Sequence, residues 1–182
     1  TMLHAYWGDG KGKTCAAMGL VVRAAAAGWR VVVVQFLKDG SSSEISLLKG
    51  LPGVEAVLSD GVLAKFTFRM SDEEKAASRA LHDDNLRRAF ELASVPAGGT
   101  AACEGSLLVL DEALDALRAG LLDESLSREV MAWAAGADRC EAVVTGHSLP
   151  DFVADTADYL TRFSCERHPY QHGVAARGGI EY

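Results

Sequence analysis

Nowhere in this 182-residue chain do about 18 apolar residues follow one another without interruption, so no helix able to cross a membrane is expected. A basic region, apolar run and small-residue cleavage site in succession are also missing at the N-terminus, and a cytoplasmic location follows as the expectation. Positive charge is scarce: 18 Lys and Arg against 25 Asp and Glu leave a net charge of −7. Such a surface is poorly suited to holding nucleic acid or anionic lipid without specificity, so neither nucleic acid nor membrane is expected as a partner. Cysteine is sparse too. The four, Cys15, Cys103, Cys140 and Cys165, form no CxxC pair and read as buried small hydrophobes rather than as a metal or disulfide set. Histidines His4, His82, His147, His168 and His172 lack metal-ligand spacing, and no zinc site is read. No internal repeat, low-complexity tract or linker divides the chain. With 49% apolar and 24% charged residues, residues 1–182 read as a single globular domain with one small-molecule site.

What is present is an alternation of strand-like and helix-like segments. Residues 3–7 form a short apolar run ending at a glycine-rich turn. An alanine-rich helix is expected over 13–27, with an apolar stripe through Met18 and Val22 and a stop at Gly28. Residues 31–36 are a continuous β-branched run, the pattern of a strand covered on both faces. A polar loop over 38–43, a short helix over 44–49 and a strand over 54–58 follow. A long amphipathic helix is expected over 71–93, opened by Ser71 and Glu74 in capping-box spacing and carrying Leu81, Leu86, Phe90 and Leu92. After a loop at 96–100 come strands over 107–110, 141–145 and 159–163, helices over 113–119 and 125–135, and a helical turn over 150–155. This alternation predicts an α/β fold with right-handed crossovers, a mainly parallel sheet flanked by helices, and ligands at the carboxyl ends of the strands.

Two segments carry chemistry. Gly8-Asp9-Gly10-Lys11-Gly12-Lys13-Thr14 lies between the first strand and the first helix, where backbone N–H groups and the helix dipole favour phosphate. Its glycines allow close backbone approach, Lys13 brings a mobile positive charge, and the Thr14 hydroxyl is suited to ligating Mg²⁺. The usual GxxxxGK[ST] spacing would need glycine at position 7, which is Trp7, so the loop is one residue short. A different embrace of the phosphates is expected. The second segment, 107–112, is an apolar strand ending in Asp111 and Glu112, like the strand that presents carboxylates to Mg²⁺ in phosphate-loop proteins. Taken alone it reads equally well as a strand followed by a helix cap.

The chain as a whole resembles the ATP:corrinoid adenosyltransferases of the BtuR/CobO type, which have a P-loop NTPase-like (RecA-like) fold. The resemblance rests on Gly8 to Thr14, Gly19-Leu20, Arg23-Ala24-Ala25, Gly28 and the Val-Val-Gln-Phe-Leu-Lys run at 33–38. Further matches are Phe66-Thr67-Phe68, Leu110-Asp111-Glu112, the Gly-Leu-Leu-Asp at 120–123, Val144-Thr145-Gly146, Ala157-Asp158, His168-Pro169-Tyr170 and the tail from Gly173 to Tyr182. It implies transfer of the 5′-deoxyadenosyl group of ATP to the Co(I) centre of a reduced corrinoid, cobalamin or a precursor such as cob(I)yrinic acid a,c-diamide, with release of triphosphate. Under the same resemblance Gly8, Asp9, Gly10, Lys11, Gly12, Lys13 and Thr14 bind ATP. Lys13, Thr14 and Glu112 are catalytic, and Thr14, Glu112 and Asp111 attend Mg²⁺. Phe66 and Phe68 contact the corrinoid, although two phenylalanines two apart are also the spacing of a strand's core face. A homodimer and a flavoprotein reductant are the implied partners. The family's N-terminal extension, which covers the neighbouring active site, is expected to be either absent or removed here, since the sequence starts almost at the first strand.

Three positions depart from the family pattern: Phe68 where tryptophan is common, His147 where arginine commonly follows Thr-Gly, and Cys15 where threonine is frequent. The change at His147 replaces a permanent cation by a group that titrates near neutrality. Two alternatives keep the phosphate loop but change the chemistry: a small-molecule kinase, which would yield ADP, and a non-catalytic nucleotide- or corrinoid-binding module.

Overall fold

The computed structural model describes residues 2–38, 42–59, 69–94, 105–136 and 140–180. Its elements run β1 (Met2–Trp7), α1 (Lys13–Ala26), β2 (Arg30–Gln35), α2 (Ser43–Leu48), β3 (Val54–Val57), α3 (Asp72–Ser94), β4 (Ser106–Asp111), α4 (Ala113–Arg118), α5 (Glu124–Gly136), β5 (Cys140–Gly146), α6 (Asp151–Thr156) and β6 (Tyr159–Arg162). A 3₁₀ turn at Pro169–His172 follows. The helix and strand boundaries expected from the sequence are met to within one residue, and the loop expected at 96–100 lies outside the described residues.

The strands form one six-stranded sheet in the order β3-β2-β4-β5-β1-β6. Every neighbouring pair is parallel. The three central strands β2, β4 and β5 are the most apolar, as expected for strands with helices on both faces. Because side chains alternate, the central strands feed two cores. Val31, Val33, Leu107, Val109 and Val143 meet Ala17, Met18 and Val21 of α1 and Ile45 and Leu48 of α2. Val32, Val34, Leu108, Leu110, Ala142 and Val144 meet Leu86 and Ala89 of α3, Leu114 of α4, and Val130 and Met131 of α5.

Local signals behave as their chemistry dictates. Ser71 and Glu74 form a reciprocal capping box, with the Ser71 N–H donating to Glu74 Oε2 (2.9 Å) and the Glu74 N–H to Ser71 Oγ (3.2 Å). Gly28, at φ +80°, closes α1 in the left-handed conformation. Two expectations need correction. The stripe of α1 runs through Met18 and Val21, whereas Val22 is half exposed, since one residue further around the helix turns it out of the core. Among the described cysteines, all free thiols, only Cys140 is buried; Cys15 lies on the outer face of α1 and Cys165 follows the last strand.

Candidate phosphate and carboxylate site

The parallel registers bring the ends of β2, β4 and β5 level, with Gln35 opposite Asp111 and Leu110 opposite Val144. The residue after each apolar run is therefore polar and converges on one point. Asp111 is fully buried. Its Oδ1 accepts hydrogen bonds from the hydroxyls of Thr14 (2.9 Å) and Thr145 (2.8 Å). Its Oδ2 accepts from Lys38 Nζ (2.8 Å) and Gln35 Nε2 (3.2 Å). Four donors thus satisfy a buried carboxylate that would otherwise be costly. Burial works against the charge of Lys38, but Asp111, with Glu112 and Glu44 nearby, more than offsets it and raises the lysine pKa above its usual value.

The loop 8–14 wraps the start of α1, with Gly12 as its N-cap at φ +112° and no side chain capping the helix. Lys13 is buried, and its Nζ donates to the carbonyls of Gly8 (2.7 Å) and Gly10 (3.0 Å), curled back onto its own loop. The sequence suggested that the glycines allow phosphate to approach. For Gly8 and Gly10 the structure gives a further reason: a Cβ on Gly8 would stand 2.3 Å from the Phe163 carbonyl oxygen, and one on Gly10 2.7 Å from the Phe163 carbonyl carbon and 2.8 Å from Ser164. The Gly10 N–H donates to Phe163 O (2.8 Å), the Phe163 N–H to Trp7 O (2.7 Å) and the Cys165 N–H to Asp9 Oδ1 (3.4 Å). The segment after β6 therefore braces the loop from outside.

Glu112 occupies a left-handed conformation, φ +62°, at the N-cap of α4, and its N–H donates to Thr145 Oγ1 (2.9 Å). Burial, a hydrogen bond shared with Asp115, and the charges of Asp111 and Asp115 push its carboxyl up to about 7. Burial would raise Asp115 as well, but the His147 ring, Glu112 and the His147 N–H hold it below its usual value. The shared proton therefore belongs to Glu112. Asp115 Oδ2 accepts from the His147 N–H (2.9 Å) and lies 2.8 Å from its Nδ1. Ligand atoms of Glu112, Asp115 and His147 all lie within 4.8 Å of one another, a set able to hold a cation.

The structure thus unites Gly8, Asp9, Gly10, Gly12, Lys13, Thr14, Asp111 and Glu112 at one edge of the sheet, with Lys11 in the same loop. Phe66 and Phe68 lie outside the described residues. Sequence reasoning missed Gln35, Lys38, Asp115, Thr145 and Phe163 as parts of the site. Gln35 and Thr145 did carry a signal, each being a polar residue that ends an apolar strand.

A phosphate loop after β1, an Asp-Glu pair ending β4, and one strand, β5, inserted between them define a P-loop NTPase-like protein of the RecA-like arrangement. Residues 1–182 match the family described as ATP:corrinoid adenosyltransferase BtuR/CobO/CobP, and the chain belongs to that family. It is similar to the corrinoid adenosyltransferase of Pseudomonas aeruginosa, with 30% identity over all of this chain and 83% of the relative. Identity is 28% to corrinoid adenosyltransferase CobA of Salmonella typhimurium, over 97% of this chain and 83% of that one. It is 26% to a corrinoid adenosyltransferase of Sinorhizobium sp, over 96% and 77%. Among the described residues, no helix is long and apolar enough to cross a membrane.

Proposed function

We propose that this protein transfers the 5′-deoxyadenosyl group of ATP to the cobalt of a reduced corrinoid. The observation that carries the reading is the short phosphate loop braced by Phe163 and linked through Thr14 to the buried Asp111. In the reaction the Co(I) electron pair forms a bond to C5′ of the ribose. The C5′–O bond breaks, and triphosphate leaves with its electron pair. Co(I) is a strong nucleophile and needs no general base, so the protein's work is to align C5′ and to stabilise the charge of the departing triphosphate. The loop amides, Lys11 and Lys13 would serve that charge, Lys13 by leaving the Gly8 and Gly10 carbonyls for phosphate oxygens.

Thr14 and Glu112 offer oxygen donors, which suit Mg²⁺, a hard cation. Thr14 and Glu112 would ligate it; Asp111, whose two oxygens already accept four hydrogen bonds, would orient Thr14. When bound, Mg²⁺ supplies positive charge to the phosphate oxygens. Glu112 must give up its proton for that role, and Asp115, itself anchored by His147, is the neighbour that sets the proton's cost. Phe66 and Phe68 are the proposed corrinoid contacts, cobalamin or cob(I)yrinic acid a,c-diamide the substrates, and a homodimer and a flavoprotein reductant the proposed partners.

The test is anaerobic incubation with ATP, Mg²⁺ and chemically reduced cob(I)alamin. An alkylcobalamin spectrum with one triphosphate per cobalt–carbon bond is expected. Release of ADP without that bond would replace the reading by a kinase, and ligand binding with neither product by a non-catalytic module.

A further inference from the structure

The Val-Gln-Phe-Leu-Lys run marks the family resemblance, yet its residues have no part in the reaction as derived so far. The structure shows what it builds. Phe36 is buried, with its ring edge-on to His82 (5.5 Å). Gln35 and Lys38 both reach Asp111 Oδ2. Between them Leu37 has φ +59°, a left-handed conformation costing a branched residue about 1–2 kcal/mol. Strain of this kind persists where the surroundings impose it, and it concentrates at ligand sites. Here the Leu37 N–H donates to the buried His82 Nε2 (3.5 Å), and His82 Nδ1 lies 2.9 Å from the Leu121 carbonyl oxygen. The left-handed residue turns the chain so that Lys38 points back to the strand ends instead of out to solvent.

Lys38 and Thr14 consequently sit on the two oxygens of one carboxylate, Nζ on Oδ2 and the hydroxyl on Oδ1. An ammonium group has three N–H donors. One is used on Asp111, and among the described residues no other acceptor is recorded for the remaining two. The side chain keeps 27% of its surface exposed, whereas Asp111 has none. Asp111, Glu112, Glu44 and Asp115 make this edge strongly acidic, and a triphosphate brought beside Thr14 would add several more negative charges. Lys11 and Lys13 of the loop supply only two positive charges against them.

We propose that Lys38 is a triphosphate-binding residue, held ready by the strained turn at Leu37 and bridging Asp111 to the phosphates gripped by loop 8–14. The inference rests on the adenosyl-transfer reading for the identity of the leaving group, and it is tested apart from turnover. Binding of inorganic triphosphate is measured by calorimetry for the wild type, Lys38→Ala and Lys38→Arg, once with Mg²⁺ and once in EDTA. A direct contact predicts at least tenfold weaker binding for Lys38→Ala under both conditions, with Lys38→Arg within about threefold of the wild type. A loss confined to the Mg²⁺ arm would reduce Lys38 to a support for Asp111 and Thr14 and overturn the proposal. So would unchanged affinity, or a wild type that does not bind triphosphate. Should Lys38→Ala fail to fold, as judged by thermal melting, Lys38→Met, which keeps the aliphatic stem, takes its place. Failure of the wild type to alkylate cobalt, with these affinities as expected, would strike the enzymatic reading and leave the triphosphate contact standing.

Discussion

Replacing Glu112 by glutamine should stabilise the ligand-free protein in alkali and leave it unchanged in acid. Glu112 is displaced from an ordinary 4.5 to about 7, first by burial and then by its hydrogen bond to Asp115 and the charges of Asp111 and Asp115. Between those two pH values the folded carboxyl holds a proton that the unfolded chain has lost, so stability falls as pH rises through the window. The full displacement corresponds to about 3 kcal/mol. Water reaches part of this side chain, so a discounted penalty of about 1–2 kcal/mol above pH 7 is the working figure. Glutamine resembles the protonated acid: it can donate to Asp115 and never acquires the charge. For a chain of this size, about 1–2 kcal/mol is a rise in Tm of roughly 2–8 °C at pH 8, shrinking to nothing near pH 4.5. Asp115 is lowered below its ordinary 3.8, so the stability it contributes is lost only in stronger acid and does not enter the window. The assay is thermal melting of both proteins in chelator from pH 4.5 to 8.5. A Tm difference that is constant with pH, or a variant less stable in alkali, would refute the assignment of the proton to Glu112.

Other outcomes follow from the same geometry. Gly10→Ala forces a Cβ against the Phe163 and Ser164 backbone, and the overpacking should cost about 1–3 kcal/mol in denaturant unfolding together with weaker ATP binding; an unchanged midpoint would contradict the brace. Thr14→Ala removes the hydroxyl on Asp111 Oδ1 and should slow adenosyl transfer about 100-fold, read by alkylcobalamin formation, while taking one of four donors from the buried carboxylate at a cost of about 1–3 kcal/mol. Burial lowers the pKa of His82 below its ordinary 6.5, so its ring should still be mostly neutral at pH 6.5 in an NMR titration, and stability should fall as pH drops through that value. A ring half protonated at 6.5 would show that burial does not keep it neutral.

Much of this was legible in the sequence because each element carried its own period. The buried runs at β2, β4 and β5, the capping box at Ser71 and the glycine stop at Gly28 are local signals, and local signals survive without knowledge of the fold. Loop 8–14 and Asp111-Glu112 could be read for the same reason. Strand order could not. Only when β4 is seen lying between β2 and β5 does Asp111 become the meeting point of Gln35, Lys38 and Thr145. The surroundings of Glu112 were hidden likewise: its neighbour Asp115 is one turn along α4, and His147, which holds Asp115, arrives from the end of β5. Val22 and Cys15 were misjudged because an alanine-rich helix hardly marks which face is inward.

Strand β1 lies between β5 and β6, both of which are translated long after it. Its loop, moreover, is completed by the carbonyl of Phe163. A nascent chain emerging from the ribosome therefore carries Gly8 to Thr14 without these neighbours until β5 and β6 have followed. Nucleotide capture must wait until Phe163 is outside, so fragments released before it have a phosphate-binding sequence without a phosphate-binding structure.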